Sequence, residues 1–145
     1  MIRSTTALLA LLMVSAGHAV ENSTPESGPH WRTWSPEVFE QAQRDGRLVL
    51  VDLVADWCSF CKKMDHTTYR DPAVLDAIDK SYIPVRADPE KQPQLPPRFA
   101  DYGRPSTVIL APDGNEVLRK QGYLKPQWML WTLQAVALEQ TDSRQ

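Results

Sequence analysis

Cys58 and Cys61 are the only cysteines in this 145-residue sequence, and two residues separate them. The apolar run at residues 48–54 is rich in β-branched side chains, which favours a buried strand. Lys62 and Met64 follow the cysteines and are good helix formers. The pair is therefore expected where a strand passes into the first turn of a helix. This spacing would place both cysteines on one helix face, close enough to form a small disulfide ring.

A cysteine at a helix N-terminus is expected to be reactive. Unpaired backbone N–H groups and the helix dipole stabilise a negative sulfur there, which lowers the thiol pKa from its free value of about 8.5. Each unit of lowering favours the thiolate by about 1.4 kcal/mol. We therefore expect Cys58 to be the attacking thiol. Cys61, buried one turn further in, would then resolve a mixed disulfide.

Two other uses of the cysteine pair compete with this interpretation. A structural disulfide is common in exported proteins, but so short a loop gains little stability from closure. A zinc site needs further ligands, and the nearest are Asp65 and His66, with no second cysteine pair. Trp57 and Lys62 flank the pair in the manner of a redox motif, which favours the redox interpretation.

The residues around the cysteines resemble the thioredoxin motif: Asp52 stands six residues before the first cysteine, Trp57 directly before it, and Lys62 directly after the second. More narrowly, ADWCSFCKKMDHTTYRDPAV at residues 55–74 resembles the thioredoxin-like C-terminal domain of the transmembrane thiol:disulfide interchange reductases. The likeness covers residues 34–137. It implies an α/β thioredoxin fold, with a central mixed sheet of about four strands flanked by helices. It also implies a redox-active disulfide with no other cofactor and no metal.

Asp52 interrupts an otherwise apolar strand. An ionised carboxylate without a partner is costly to bury, so the pKa of Asp52 is expected to be raised. By the resemblance, Asp52 lies beneath the cysteines and takes the proton from Cys61. The alternative is an aspartate on an edge strand that faces water.

The resemblance also assigns three residues to client binding. Pro105 matches the family's cis-proline, which lies beside the disulfide and presents backbone to an extended partner chain. Arg104 holds the position that touches the substrate, where relatives often carry an apolar residue or threonine, so substrate preference stays open. Trp57 is expected to shield the disulfide and to contact partners. Ser59 and Phe60, between the cysteines, include no histidine, which favours a reductant.

Local signals place the first helices. Ser35 is a good N-cap and Pro36 suits the first helical position, while Gly46 ends this helix. Asp71 and Pro72 repeat the same start for another helix. These helices alternate with strands in the thioredoxin order.

The second half of the chain is predicted to contain three strands and a last helix. The strands are expected at residues 82–87, 106–111 and 116–121, with a turn at residues 112–115. Pro126 begins the last helix, whose core face is expected to include Trp128 and Trp131. Trp31 and Trp34, near the start of the domain, are expected to pack against the sheet.

Charge and the N-terminal pattern bear on partners and location. The formal net charge of −2 and the lack of a basic stripe argue against a nucleic-acid partner. Residues 1–19 resemble a signal peptide, with Arg3 before an apolar run and Ala19 at a small-residue cleavage pattern. That run is too short to span a bilayer, so no membrane span is expected after its removal; a retained anchor is the alternative. The remaining divisions are a flexible leader at residues 20–33, the thioredoxin-like domain at residues 34–140 and a tail at residues 141–145.

Together these features predict a monomeric, periplasmic thiol:disulfide oxidoreductase that reduces disulfides in client proteins. A membrane thiol reductase is the expected electron donor, and apocytochromes are among the expected clients. One alternative is a copper chaperone of thioredoxin fold that holds Cu(I) on the dithiol, with Met64 and His66 as the nearest further ligands. The other is a disulfide oxidase or isomerase, which shares the fold and motif.

Overall fold

The computed structural model describes residues 28–142. The expected signal peptide, most of the expected leader and the last three residues lie outside this part. The elements in chain order are α1 (Pro36–Asp45), β1 (Leu48–Leu53), α2 (Ser59–His66), α3 (Pro72–Ser81), β2 (Tyr82–Ala87), β3 (Ser106–Leu110), β4 (Glu116–Gln121) and α4 (Pro126–Asp142). Two short 3-10 helices lie at Thr68–Arg70 and Pro97–Asp101.

The four strands form one mixed sheet in the order β2-β1-β3-β4. The connection from β1 to β2 passes through α2 and α3 and makes these two strands parallel, as a crossover requires. β3 is antiparallel to β1, and the hairpin that follows makes β4 antiparallel to β3. The predicted α/β fold with a mixed four-stranded sheet is confirmed.

The central position of β1 explains its composition. All six residues of β1 are buried, because neighbouring strands flank it and helices cover both faces of the sheet. In the strand register, Asp52 lies opposite Arg86 on β2 and opposite Thr107 on β3. These three side chains therefore form a row on one face of the sheet. Asp52 is not on an edge strand.

Helices cover both faces of the sheet and thereby make two hydrophobic layers. On one face, Val38 and Ala42 of α1 pack with Phe99 against the odd-numbered residues of β1. On the other face, α2, α3 and α4 contribute, among others, Met64 and Leu133. Asp52 points toward this second layer, which also contains the 3-10 helix Thr68–Arg70.

Both predicted helix starts lie where expected, but only Asp71 caps its helix through the side chain; Ser35 precedes α1 without a side-chain capping hydrogen bond. The Asp71 carboxylate accepts hydrogen bonds from the backbone N–H groups of Ala73 and Val74, at 2.9 and 3.1 Å. α1 begins at Pro36 and ends at Gly46, which adopts the left-handed conformation with φ 64°. Such a φ favours glycine because it has no Cβ.

The four tryptophans outside the cysteine motif divide into two groups. Trp34 packs on Phe99 with ring centroids 5.5 Å apart, and Trp31 packs on Tyr69 at 4.8 Å, so their expected packing near the sheet is confirmed. The prediction that Trp128 and Trp131 belong to the core is wrong. They are 57% and 53% exposed and contact each other at 5.3 Å.

The helix period explains this error. The buried positions of α4 are Met129, Leu133 and Val136, which recur at four and three residues. At about 100° per residue, Trp128 lies one step to the side of Met129, and Trp131 lies on the opposite side of the helix. Because residues 128–131 are all apolar, the sequence pattern did not indicate which of them are buried.

Residues 28–33, assigned by sequence to the leader, lie along the outer edge of β2. The backbone N–H of Arg32 donates to the Pro84 carbonyl at 2.9 Å, and the backbone N–H of Arg86 donates to the Arg32 carbonyl at 3.0 Å. This segment therefore partly covers one edge of the sheet. Among residues 28–142, none of the helices combines the length and the hydrophobicity that a membrane span requires.

Candidate active site

Cys58 and Cys61 form a disulfide at the junction of β1 and α2. Their Cα atoms are 5.3 Å apart. Cys58 is the N-cap of α2, and its Sγ accepts a hydrogen bond from the Cys61 backbone N–H at 3.1 Å. A negative Sγ on Cys58 in the reduced protein would be stabilised by this N–H and by the helix dipole. The expected strand-to-helix placement of the pair is confirmed.

Burial does not distinguish the two sulfurs in the disulfide form. Cys58 is 3% exposed and Cys61 is 6% exposed. The expectation that Cys61 is the more deeply buried cysteine is therefore wrong for the disulfide form. The asymmetry between them comes from position instead, because only the first cysteine caps the helix. The N-cap position of Cys58, rather than a difference in burial, supports its assignment as the attacking thiol.

Asp52 is buried on the same side of the sheet as α2, with only 3% of its side chain exposed. Burial raises its pKa from an ordinary 3.8 to about 6, although the nearby Arg86 guanidinium opposes the rise. Nε and Nη2 of Arg86 both donate to Oδ2 of Asp52, at 3.2 and 3.0 Å. The other oxygen, Oδ1, has no hydrogen-bond partner within residues 28–142. The expected direction of the pKa shift is confirmed.

Arg86 also binds a second carboxylate. Its Nη2 donates to Oδ1 of Asp65 on α2, whose side chain is about one-third exposed. The guanidinium lies over the Trp31 ring, 4.3 Å from its centroid. We call Asp52, Asp65 and Arg86 the floor of the site. The floor joins a deeply buried carboxylate to one that reaches water.

An open cleft of about 350 Å³ lies beside Cys61 and two members of the floor, Asp65 and Arg86. It is lined by Val54, Ala55, Asp56, Cys61, Lys62, Asp65 and Arg86. Cys61, rather than Cys58, therefore shares this cleft with Asp65 and Arg86, whereas Asp52 does not line it. A proton that leaves the Cys61 thiol can pass to a carboxylate that lines the cleft, Asp56 or Asp65.

The sequence analysis missed two members of the floor. Asp65 was considered only as a metal ligand, although it follows Cys61 by four residues and so lies one turn further along the same helix face. Arg86 was not considered. Its signal is the presence of a cation in an otherwise apolar strand, but the residue opposite it depends on strand register.

A second set of polar contacts, at the surface, involves the two residues that precede Cys58. Trp57 is 65% exposed, and its indole Nε1 donates to Oε1 of Glu90 at 2.9 Å. Lys91 Nζ lies 2.6 Å from both carboxylate oxygens of the neighbouring Asp56. We call Asp56, Trp57, Glu90 and Lys91 the rim of the site. The rim fixes the segment before Cys58 to the loop that follows β2.

Aromatic side chains continue this surface on the other side of the disulfide. Phe60, between the cysteines, is also mostly exposed, and its ring centroid lies 6.2 Å from that of Tyr123. Lys63 Nζ lies 4.6 Å from the Tyr123 ring centroid. Trp57 and Phe60 therefore offer two exposed aromatic surfaces beside the sulfurs.

Pro105 lies at the disulfide end of the sheet, since the next residue, Ser106, pairs with Leu53 at the end of β1. The peptide bond between Arg104 and Pro105 is cis. The Pro105 carbonyl accepts a hydrogen bond from the Gly122 backbone N–H at 2.8 Å. The structure thus has the cis peptide bond that the resemblance implies.

The Arg104 side chain, which the resemblance assigns to client binding, contacts the protein's own backbone. Its Nη1 donates to the backbone carbonyl of Phe99 at 3.3 Å and to that of Tyr102. The guanidinium therefore binds the loop that precedes Pro105, and the side chain is engaged within the protein.

No group of three or more histidine, cysteine, aspartate or glutamate side chains is arranged to hold a metal ion in the part of the chain that the structure describes. Met64, named above as a possible copper ligand, is buried in the apolar layer below α2.

Known proteins share both the sequence pattern and the fold. Thiol:disulfide interchange protein DsbD of Pseudomonas fluorescens is 32% identical over 112 residues, which are 72% of this chain and 19% of that protein. The DsbD of Ralstonia nicotianae is 32% identical over 101 residues, which are 67% of this chain and 17% of that protein. The chain thus spans less than one-fifth of the length of these relatives.

Solved structures agree on the fold. A thioredoxin from Thermus thermophilus has a TM-score of 0.68 at 24% identity, covering 81% of this chain and 94% of that chain. The reduced DsbD C-terminal domain of Neisseria meningitidis has a TM-score of 0.56 at 23% identity, covering 68% and 90%.

The family comparison matches most of the sequence. A family model named Thioredox_DsbH and described as "Protein of unknown function, DUF255" matches residues 22–139. The chain belongs to this thioredoxin-like family, and its fold is the thioredoxin fold.

Proposed function

We propose that this protein is a thiol:disulfide oxidoreductase that reduces protein disulfides in the periplasm through Cys58 and Cys61. The observation that carries the proposal is the position of the disulfide. Its first sulfur caps a helix and its second lines a cleft with ionisable groups. The similarity to proteins named thiol:disulfide interchange protein supports the same chemistry.

Reduction of a client proceeds in two exchanges. The Cys58 thiolate attacks one sulfur of the client disulfide; a Cys58–client bond forms, and the other client sulfur leaves as a thiolate. Cys61 then loses its proton to a carboxylate of the floor and attacks Cys58. The Cys58–Cys61 bond forms, and the second client thiolate is released. Two electrons pass to the client, and its two thiolates take protons from water.

The floor and the rim have different parts in this proposal. Asp52 is the internal proton acceptor for the Cys61 thiol, because burial keeps its pKa near 6, close to the working range of a general base. Trp57 and the backbone beside Pro105 contact the client chain. Ser59 and Phe60 place no histidine between the cysteines, which favours a donor of electrons over an oxidant.

Location and electron supply complete the proposal. Residues 1–19 would direct export and be removed, and the remaining chain would act as a monomer without a membrane span. A membrane thiol reductase would return two electrons to the Cys58–Cys61 disulfide after each cycle. The disulfide pair needs no other cofactor for this exchange.

The test is the reduction potential of the Cys58–Cys61 couple, measured by equilibration against glutathione and dithiothreitol buffers with thiol trapping. A value near that of thioredoxin, about −270 mV, is expected for a reductant. A value near about −120 mV would identify an oxidase instead.

Two variants test the order of the cysteines. Cys61→Ser should accumulate a stable mixed disulfide with a client, whereas Cys58→Ser should form none. Equal trapping by both variants would contradict the assignment. Tight stoichiometric binding of Cu(I) to the reduced protein, with negligible disulfide turnover, would overturn the proposed function in favour of a copper chaperone.

A further inference from the structure

Arg86 is the only described cation that contacts both carboxylates of the floor. It lies directly opposite Asp52 in the pairing of β1 with β2. Both of its contacting nitrogens go to the same Asp52 oxygen, Oδ2. Nη2 also donates to Oδ1 of Asp65 on α2, so a single guanidinium nitrogen contacts both carboxylates.

Asp65 connects this pair with the reacting cysteine. It follows Cys61 by one helical turn, and both residues line the cleft, together with Arg86. Asp52 is not among the cleft residues. Asp52 instead contacts Arg86, which lines the cleft together with Cys61 and Asp65.

Few other ionisable groups surround the floor. They are Lys62 of α2 and Asp56 before α2, both along the cleft, and Tyr69 of the 3-10 helix. On the far side, β3 contributes the neutral Thr107 hydroxyl, and β4 contributes Lys120 opposite Thr107. Burial holds the pKa of Tyr69 well above its usual value, so its hydroxyl stays protonated. Arg86 is the cation in direct contact with Asp52.

We propose that Arg86 is a positioning residue that couples Asp52 to Asp65 and so sets the pH at which Cys61 can resolve a mixed disulfide. This inference rests on the proposed function. Without the guanidinium, two carboxylates would face each other across a mostly buried site. Repulsion and burial would then keep a proton on Asp52 up to a higher pH, and Cys61 would lose its proton acceptor near neutral pH.

The experiment follows the resolution step alone. Reduced protein is mixed with oxidised glutathione at a series of pH values, and acid quenching with thiol trapping measures the lifetime of the Cys58–glutathione mixed disulfide. In Arg86→Gln, the pH midpoint for its resolution should rise by about one unit or more, since an opposite charge at this distance shifts a carboxyl by about 1–3 units. Formation of the mixed disulfide should keep its wild-type pH dependence.

Two further variants separate charge from structure. Arg86→Lys keeps the cation and should restore at least half of the shift. Arg44→Gln removes an equivalent charge from an exposed pair with Glu40 on α1, so its profile should coincide with wild type. If the Arg86→Lys profile coincides with that of Arg86→Gln, or if Arg86→Gln has the wild-type profile, the proposal is overturned.

Asp65→Asn supplies a test of opposite sign, which also serves if Arg86→Gln fails to fold. Loss of the Asp65 charge removes repulsion from Asp52 and leaves Arg86 to Asp52 alone. The midpoint should therefore fall below that of wild type; an unchanged or higher midpoint would contradict the proposal.

A titration of the Asp52 carboxyl carbon by NMR, in the reduced protein, should show the same two directions in the same variants. This readout does not require turnover. If wild type fails to exchange with glutathione but the NMR shifts appear as stated, the proposed function fails and the coupling by Arg86 stands. If exchange with glutathione occurs and the NMR shifts are absent, the proposed function stands and the coupling by Arg86 is overturned.

Discussion

The rim and the floor contain the same kinds of contact at different depths. On the rim, Lys91 binds Asp56 at 2.6 Å, and both side chains are mostly exposed. On the floor, Arg86 binds Asp52 at 3.0 Å, and the carboxylate is almost completely buried. By distance alone, the rim pair would be the stronger one.

Burial, rather than distance, determines the consequences of the two pairs. Water and salt screen an exposed ion pair, and ordering two long side chains offsets much of the attraction. In the interior, the loss of water shifts protonation, which changes both stability and reactivity. The floor is therefore expected to determine the chemistry of Cys61, whereas the rim is expected to affect mainly the contact with clients.

The largest effect is expected for Asp52→Asn. The folded pKa of Asp52 is raised to about 6, so its contribution to stability is fully present below its unfolded pKa and is lost as pH rises through about 6. Asparagine does not titrate. The variant should be more stable than wild type by up to about 3 kcal/mol at about pH 7.5, with the advantage vanishing near about pH 4.

Urea unfolding at both pH values measures this difference. Asp76→Asn, which alters an exposed pair with Lys80 on α3, is the matched control and should show no comparable dependence on pH. If Asp52→Asn is less stable than wild type at about pH 7.5, the raised pKa of Asp52 is contradicted. The floor would then not differ from the rim in how burial affects its carboxylate.

An intermediate effect is expected for Trp57→Ala. Its indole is mostly exposed, so stability should change little. Loss of a large aromatic contact typically costs an interface about 1 kcal/mol or more, so KM for a protein disulfide should rise about 5-fold or more. Steady-state reduction of a protein client measures this change.

Trp131→Ala is the matched control, because Trp131 is similarly exposed but lies on α4. Its KM should stay at the wild-type value. An equal rise in both variants would show that the rim has no special part in client contact.

The smallest effect is expected for Lys91→Ala on the rim. Because both partners are mostly exposed, the melting temperature should change by no more than about 2 °C. Thermal unfolding at low and high salt measures it, and raising the salt should shrink any difference further. A loss of stability in Lys91→Ala as large as the gain expected for Asp52→Asn would mean that water does not screen the rim pair.

Local sequence signals predicted much of the fold. The turn from β1 into α2, the Asp71 cap and the Gly46 end depend on residues close together in the chain. The resemblance pointed to Pro105 as a cis-proline, which composition and spacing alone do not indicate. Trp128 and Trp131 were misplaced because apolar character does not show which side of a helix meets the sheet.

Residue spacing was enough to predict where the disulfide lies and which cysteine caps the helix, since both follow from two intervening residues at a strand-to-helix junction. The charges that meet beneath the disulfide could be identified only in the folded protein. Arg86 is 34 positions from Asp52 and 21 from Asp65. Their contact depends on the register of two parallel strands and on the rotation of α2 above them. Long-range packing sets both of these, and no short stretch of sequence encodes them.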